Sequence, residues 1–173
     1  VTSTSTGVVS NKGYIIEAAG LIFTSVGNNS GNWTQAGGLA AKVNSALGKR
    51  FRAGAMLNTS NIAGLLNFFS ILTTENSTTI TISNIFAGTI LANGTTFNGP
   101  KTINLNKNQS YILAIDGLSG FNLIGALIES DKNIVVNSGS FGGTNDPSNA
   151  STSGRALGCD QIVGADKIGA EYI

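Results

Sequence analysis

Residues Thr78-Thr79-Ile80-Thr81-Ile82-Ser83 alternate hydroxyl and apolar side chains with a period of two. Successive side chains of a strand point to opposite faces, so Ile80 and Ile82 are predicted to enter a core while the threonines face water. Similar chemistry extends to both sides. Upstream, residues 67–74 are apolar and β-favouring, and Glu75-Asn76-Ser77 supplies the turn. Downstream, residues 89–91 run into Asn93-Gly94, a strong hairpin signal. Residues 101–106 and 110–115 are expected to pair around Lys107-Asn108-Gln109, with Ile103 and Leu105 inward against Tyr111 and Leu113. Residues 123–129 and 134–137 read as two further strands. Short strands with a turn signal about every ten residues predict an all-β chain, an antiparallel β-sandwich.

The N-terminal third is less regular. Residues 14–17 and 21–24 read as a strand pair turned at Ala18-Ala19-Gly20, and residues 28–33 as a loop. Leu39, Val43, Ala46 and Leu47 recur at helical spacing and Gly48 follows, which predicts one short helix over 39–47. Residues 51–56 then read as a strand. Residues 138–158 are rich in Gly, Ser and Asn without apolar periodicity, a loop long enough to be functional. Residues 1–11 form a Ser/Thr-rich lead-in to a β region over 12–173. Within that region Gly125–Ile134 echoes Gly13–Ile22, with Gly13, Ile16, Glu17 and Ile22 matching Gly125, Ile128, Glu129 and Ile134. Related motifs over 13–52 and 125–173 therefore suggest two similar β subdomains. The sequence stops inside an apparent strand, as a piece of a longer protein would.

Composition removes several functions. Only 11% of residues are charged and the net charge is +1, so nothing marks a nucleic-acid surface. No apolar run is long enough for a membrane helix, and no direct membrane insertion is expected. Histidine is absent, which removes the commonest general base and the commonest transition-metal ligand. The single Cys159 has no intrachain partner for a disulfide.

Several side chains invite a functional reading. Glu17 and Glu129 occupy matching places in the two motifs, but each ends a strand beside a turn, where a solvated acid is ordinary; no catalytic residue is assigned. Asp131, Asp146, Asn133 and Asn145 offer the hard oxygen donors that calcium takes, without the regular Asp spacing of a calcium loop. No cofactor is expected beyond that calcium candidate. Lys49-Arg50-Phe51-Arg52 is the densest positive patch and reads as a solvated sheet edge. Seven Asn-x-Ser/Thr triplets occur, at Asn28, Asn32, Asn58, Asn76, Asn93, Asn108 and Asn149, and read as turn-forming asparagines. Trp33 sits in a Gly/Asn/Ser loop, where an aromatic ring can stack on a sugar or anchor a protein. The candidate binding residues are Trp33, Asn28, Asn29 and Asn32 in one loop, and Asn145 and Asp146 in another.

Two stretches carry a family resemblance. Gln35 to Lys42 continuing through Ala46 to Gly54 resembles segments of large surface proteins of Bacteroidota, many associated with gliding motility and type IX secretion. Ile128-Glu129-Ser130-Asp131-Lys132-Asn133-Ile134 to Ser140, closed by Asp160-Gln161-Ile162-Val163 and Gly169 to Ile173, is similar to the N-terminal domain of IgGFc-binding proteins. The resemblance implies a secreted or cell-surface, adhesin-type module, non-enzymatic, acting as spacer and binding domain in a longer chain. Its partners would be glycans or proteins at a cell surface, or copies of itself. The alternative is a structural subunit that assembles into a surface filament by strand-edge pairing.

Overall fold

β-Branched and aromatic residues fill the long runs of this chain, and in the computed structural model those runs are strands. The structure describes residues 9–10, 16–20, 22–29, 36–55, 64–116, 122–143 and 156–168. In chain order the strands are β1 (Val9–Ser10), β2 (Ser25–Asn29), β3 (Ala36–Ala40), β4 (Gly48–Arg52), β5 (Leu66–Thr73) and β6 (Thr78–Ser83). There follow β7 (Thr89–Ile90), β8 (Thr96–Phe97), β9 (Lys101–Leu105), β10 (Ser110–Asp116), β11 (Leu127–Gly143) and β12 (Ala156–Ile162). All described pairings are antiparallel.

The 17-residue β11 is the spine. Its first part pairs with β6 on one edge and β4 on the other, through Leu127↔Ser83 and Glu129↔Arg50. Its second part pairs with β5 and β12, through Val136↔Ile71 and Asn137↔Gln161. The outer partners follow the same division, since β9 pairs with β6 and β10 with β5. Each layer therefore changes partner at one line across the sheet: residues 74–77 between β5 and β6, 106–109 between β9 and β10, and 130–133 in β11. Along that line β4 and β11 shift register, with Glu129 opposite Arg50 but Ile134 opposite Gly48.

Polar groups brace the line. Thr79 N–H donates to Asp131 Oδ1 at 2.9 Å, Ser77 N–H to Asn106 Oδ1 at 3.0 Å and Lys107 N–H to Asn76 Oδ1 at 3.1 Å. Thr74 Oγ1 donates to the Asn133 carbonyl at 2.8 Å. These bonds satisfy backbone groups that the ladder abandons where it bends. Both halves turn their apolar faces into one core: Phe51, Ile80, Ile82, Leu105 and Ile128 from one, Phe69, Ile71, Tyr111, Leu113, Ile134 and Val136 from the other. The result is a large antiparallel sheet nearly closed into a barrel.

The all-β expectation holds, and Thr78–Ser83 is a strand with Ile80 and Ile82 fully buried. Thr79 and Thr81 lie on the other face, but Thr78 shares the isoleucines' face and is buried with them instead of facing water. Several local expectations do not. The helix over 39–47 is only a 3₁₀ turn, Val43–Ala46. Leu39 and Ala40 are used by β3, and Val43 takes a left-handed φ of 49° that an α-helix cannot continue through. Residues 16–18 and 22–24 are not strands: Ile16, Ile22 and Phe23 are exposed and find no core, and β2 begins only at Ser25. The strand expected over 51–56 is shifted to Gly48–Arg52. The strands β9 and β10 do not pair with each other. The turn between them crosses the fold line, where Asn108 N–H donates to the Thr73 carbonyl and Thr73 N–H to the Gln109 carbonyl. Finally, residues 123–129 and 134–137 are not separate strands, and β11 runs on to Gly143 through most of the first third of the expected 138–158 loop.

Candidate functional site

Apart from the main sheet lies a two-stranded ribbon, β2 with β3. Ser25 pairs with Ala40, Gly27 with Gly38 and Asn29 with Ala36, and Ala41 N–H extends the ladder to the Thr24 carbonyl at 2.9 Å. Period two then places Thr24, Val26, Leu39 and Ala41 on one face of the ribbon. That face looks at the outer side of the sheet, opposite Leu72 of β5, Ile112 of β10 and Val135 of β11. Between the two faces runs a groove of about 410 Å³, with Thr24, Ser70, Ser110, Asn137 and Gln161 as its polar residues. It adjoins a second hollow of about 520 Å³ lined by Ile16, Ile22 and Val43. Val26, Ile16 and Val43 are each about 60% exposed, more than isolated surface apolars need to be.

Two contacts hold the ribbon on the sheet. At one end Gly37 lies so close to Leu157 that a Cβ there would sit 2.4 Å from the Leu157 carbonyl oxygen, so only glycine fits. At the other end Lys42 N–H donates to Gln161 Oε1 at 2.5 Å, and Lys42 Nζ donates to the Gln161 carbonyl at 2.5 Å and pairs with the Asp160 carboxylate. Cys159 is half-buried beside this latch. Burial raises its thiol pKa above the ordinary 9.0, and the Asp160 carboxylate pushes it the same way.

Of the expected binding residues, only two are among the described residues. Asn28 and Asn29 belong to β2 rather than to a loop. Asn32 and Trp33 lie outside the described residues, between the paired Asn29 and Ala36. Asn145 and Asp146 also lie outside them, between the paired Gly143 and Ala156. The roots of these two connections are neighbours, because Gly37 rests on Leu157.

The other candidates are dispersed. Glu17 is exposed before β2, whereas Glu129 lies in β11 and pairs with Arg50 at 3.4 Å on the solvated face of the sheet. Arg52 donates to the Gly125 carbonyl at 2.8 Å. Lys49 and Arg50 are exposed while Phe51 is fully buried, so burial along β4 does not alternate strictly beside its register shift against β11. Asp131 is committed to Thr79, and among the described residues no group of three His, Cys, Asp or Glu side chains could hold a metal ion. Of the Asn-x-Ser/Thr triplets, Asn76, Asn93 and Asn108 are exposed at turns, and Asn93 Oδ1 accepts from both Thr95 N–H and Thr95 Oγ1. Sequence reasoning missed the groove. Its floor residues Leu72, Ile112 and Val135 meet only through register across three strands, and the single local signal was their apolar character at outward positions.

No helix among the described residues is long and apolar enough to cross a membrane. No curated protein and no solved structure matches the chain. One family model does, described as IgGFc binding protein, over residues 37–173. That span begins in the β2–β3 ribbon and takes in the whole of β4 to β12, so the chain belongs to the IgGFc-binding protein family.

Proposed function

We propose that this chain is a non-enzymatic binding module of a secreted or cell-surface protein, of the adhesin type, which serves as both spacer and binding domain. Membership of a family of binding domains supports the general class. The observation that carries the specific reading is the adjacency of Gly37 and Leu157. It brings together the roots of the two connections that contain Asn32 and Trp33 on one side, Asn145 and Asp146 on the other. A rigid sheet that presents variable connections at one end is a common way to build a recognition surface.

The proposed surface combines an aromatic ring with amides and the Asp146 carboxylate, which suits glycans or polar protein surfaces. Affinity would come from repetition along a longer chain, since linked copies raise the effective concentration of each site. Few charges mean little repulsion between neighbouring modules. The test is surface plasmon resonance of the purified chain against an immunoglobulin G Fc fragment and against a panel of immobilised neutral glycans. One of the two is expected to bind, with a loss of tenfold or more in Trp33→Ala and a smaller loss in Asn145→Ala. Absence of binding to both, or binding that Trp33→Ala leaves intact, would reject this reading.

A further inference from the structure

The edge of β2 carries the strongest unassigned feature. In an antiparallel ladder the residues of one strand alternately bond to the partner and point away from it. Ala41 N–H bonds to the Thr24 carbonyl, so Thr24, Val26 and Asn28 are the residues directed at β3. Ser25, Gly27 and Asn29 therefore direct their backbone N–H and C=O groups to the opposite side. Among the described residues no strand pairs with β2 on that side. Exposed edges are normally blunted by charge or proline. β9, at an edge of the main sheet, has Pro100 before it and begins with Lys101. β2 has neither: its sequence is Ser-Val-Gly-Asn-Asn.

The same strand walls the groove. An incoming strand at the β2 edge would bring alternate side chains to an apolar strip made by Val26, Leu72, Ile112 and Val135. The charges nearby are Glu17, which lines the adjoining hollow, and Lys42 with Asp160, which neutralise each other. We propose that the β2 edge and this groove receive an extended, uncharged segment of a partner protein by strand addition. Main-chain bonds to Ser25 and Gly27 would supply affinity, and apolar side chains at alternate positions would supply selectivity. The inference rests on the protein-binding reading above but uses different residues from the Trp33 end, so either can fail while the other stands.

The experiment is fluorescence anisotropy with a labelled heptapeptide that alternates threonine and valine, and the same peptide with its central valine replaced by proline as control. Saturable binding of the first peptide and at least tenfold weaker binding of the second are expected. Gly27→Pro removes one outward N–H while leaving the bonds to β3, and is expected to weaken binding at least tenfold. Leu72→Lys, which places a charge in the strip, is expected to do the same, whereas Ile90→Ser, an exposed apolar residue elsewhere, leaves binding unchanged. Circular dichroism verifies that each variant is folded, and Gly27→Pro carries the test should Leu72→Lys unfold. No saturable binding to the wild type, or wild-type affinity in Gly27→Pro, overturns the proposal. So does sedimentation showing that the wild type self-associates and that Leu72→Lys abolishes it, which would assign the face to a second copy of this chain.

Discussion

Lys42 donates twice to Gln161: its backbone N–H to Gln161 Oε1 and its Nζ to the Gln161 carbonyl, each at 2.5 Å. Residues far apart in sequence are thereby joined where the ribbon leaves the sheet. Gln161→Ala removes the first bond and keeps the second. A net loss of about 1 kcal/mol is expected. Hydrogen-exchange mass spectrometry should show faster exchange over residues 36–42, with the β5–β11 ladder unchanged; equal acceleration in both would mean that the latch is not local.

Gly139 faces backbone rather than a side chain. A Cβ built there lies 2.0 Å from the Gly158 carbonyl oxygen and 2.7 Å from the Cys159 Cα. Main-chain atoms cannot rotate away, so Gly139→Ala must push β12 off β11. A loss of roughly 3 kcal/mol or more is expected in urea unfolding, at the upper end for a single substitution. A loss below about 1 kcal/mol would show that β12 is not held this closely.

Tyr111 is buried to 2% exposure, and its hydroxyl has no hydrogen-bond partner among the described residues. A buried hydroxyl without a partner carries its desolvation cost uncompensated. Tyr111→Phe keeps the ring and its position beneath Lys101 Nζ, 5.8 Å from the ring centre. The variant is expected to match the wild type or to exceed it by up to about 1 kcal/mol. A clear loss of thermal stability would reveal a partner for the hydroxyl.

Cys159 provides a pH prediction. Burial favours its neutral thiol, so the unfolded chain ionises at lower pH than the folded one. The resulting stability is fully present below the ordinary value of 9.0 and is lost as pH rises through the higher folded-state value. Alkylation by iodoacetamide at pH 7 should be more than tenfold slower than for free cysteine. Asp160→Asn should speed it modestly, because the neighbouring negative charge is gone. Reaction at the free-cysteine rate would contradict the burial.

The alternation of Thr78–Ser83 was legible because a surface strand with one buried face writes its period into the sequence. β11 was not, for two reasons. Glu129-Ser130-Asp131-Lys132-Asn133 reads as a turn, yet it is the irregular stretch where one strand crosses the fold line. Ser138, Gly139 and Ser140 show no apolar pattern but are buried, because β5 and β12 cover the strand on both edges. The 3₁₀ turn was misread as a helix because Leu39, Val43, Ala46 and Leu47 mimic helical spacing while serving different elements. Of the site residues singled out in the sequence, Asn32, Trp33, Asn145 and Asp146 lie outside the described residues, whereas the groove depends on register and had only the outward apolar character of Leu72, Ile112 and Val135 as a local signal.

The continuous β11 also sets an order of events during synthesis. The strands β4, β5 and β6 are made long before their shared partner, since Arg50 waits for Glu129 and Phe69 for Ser138. Until residue 143 has emerged, the two halves of the core have no common strand, and the inner edges of β5 and β6 stand open. Non-local pairing of this kind is slow and leaves unpaired edges exposed to other chains. A nascent chain of this protein is therefore at greatest hazard just before its spine arrives, and closes around it in one late step.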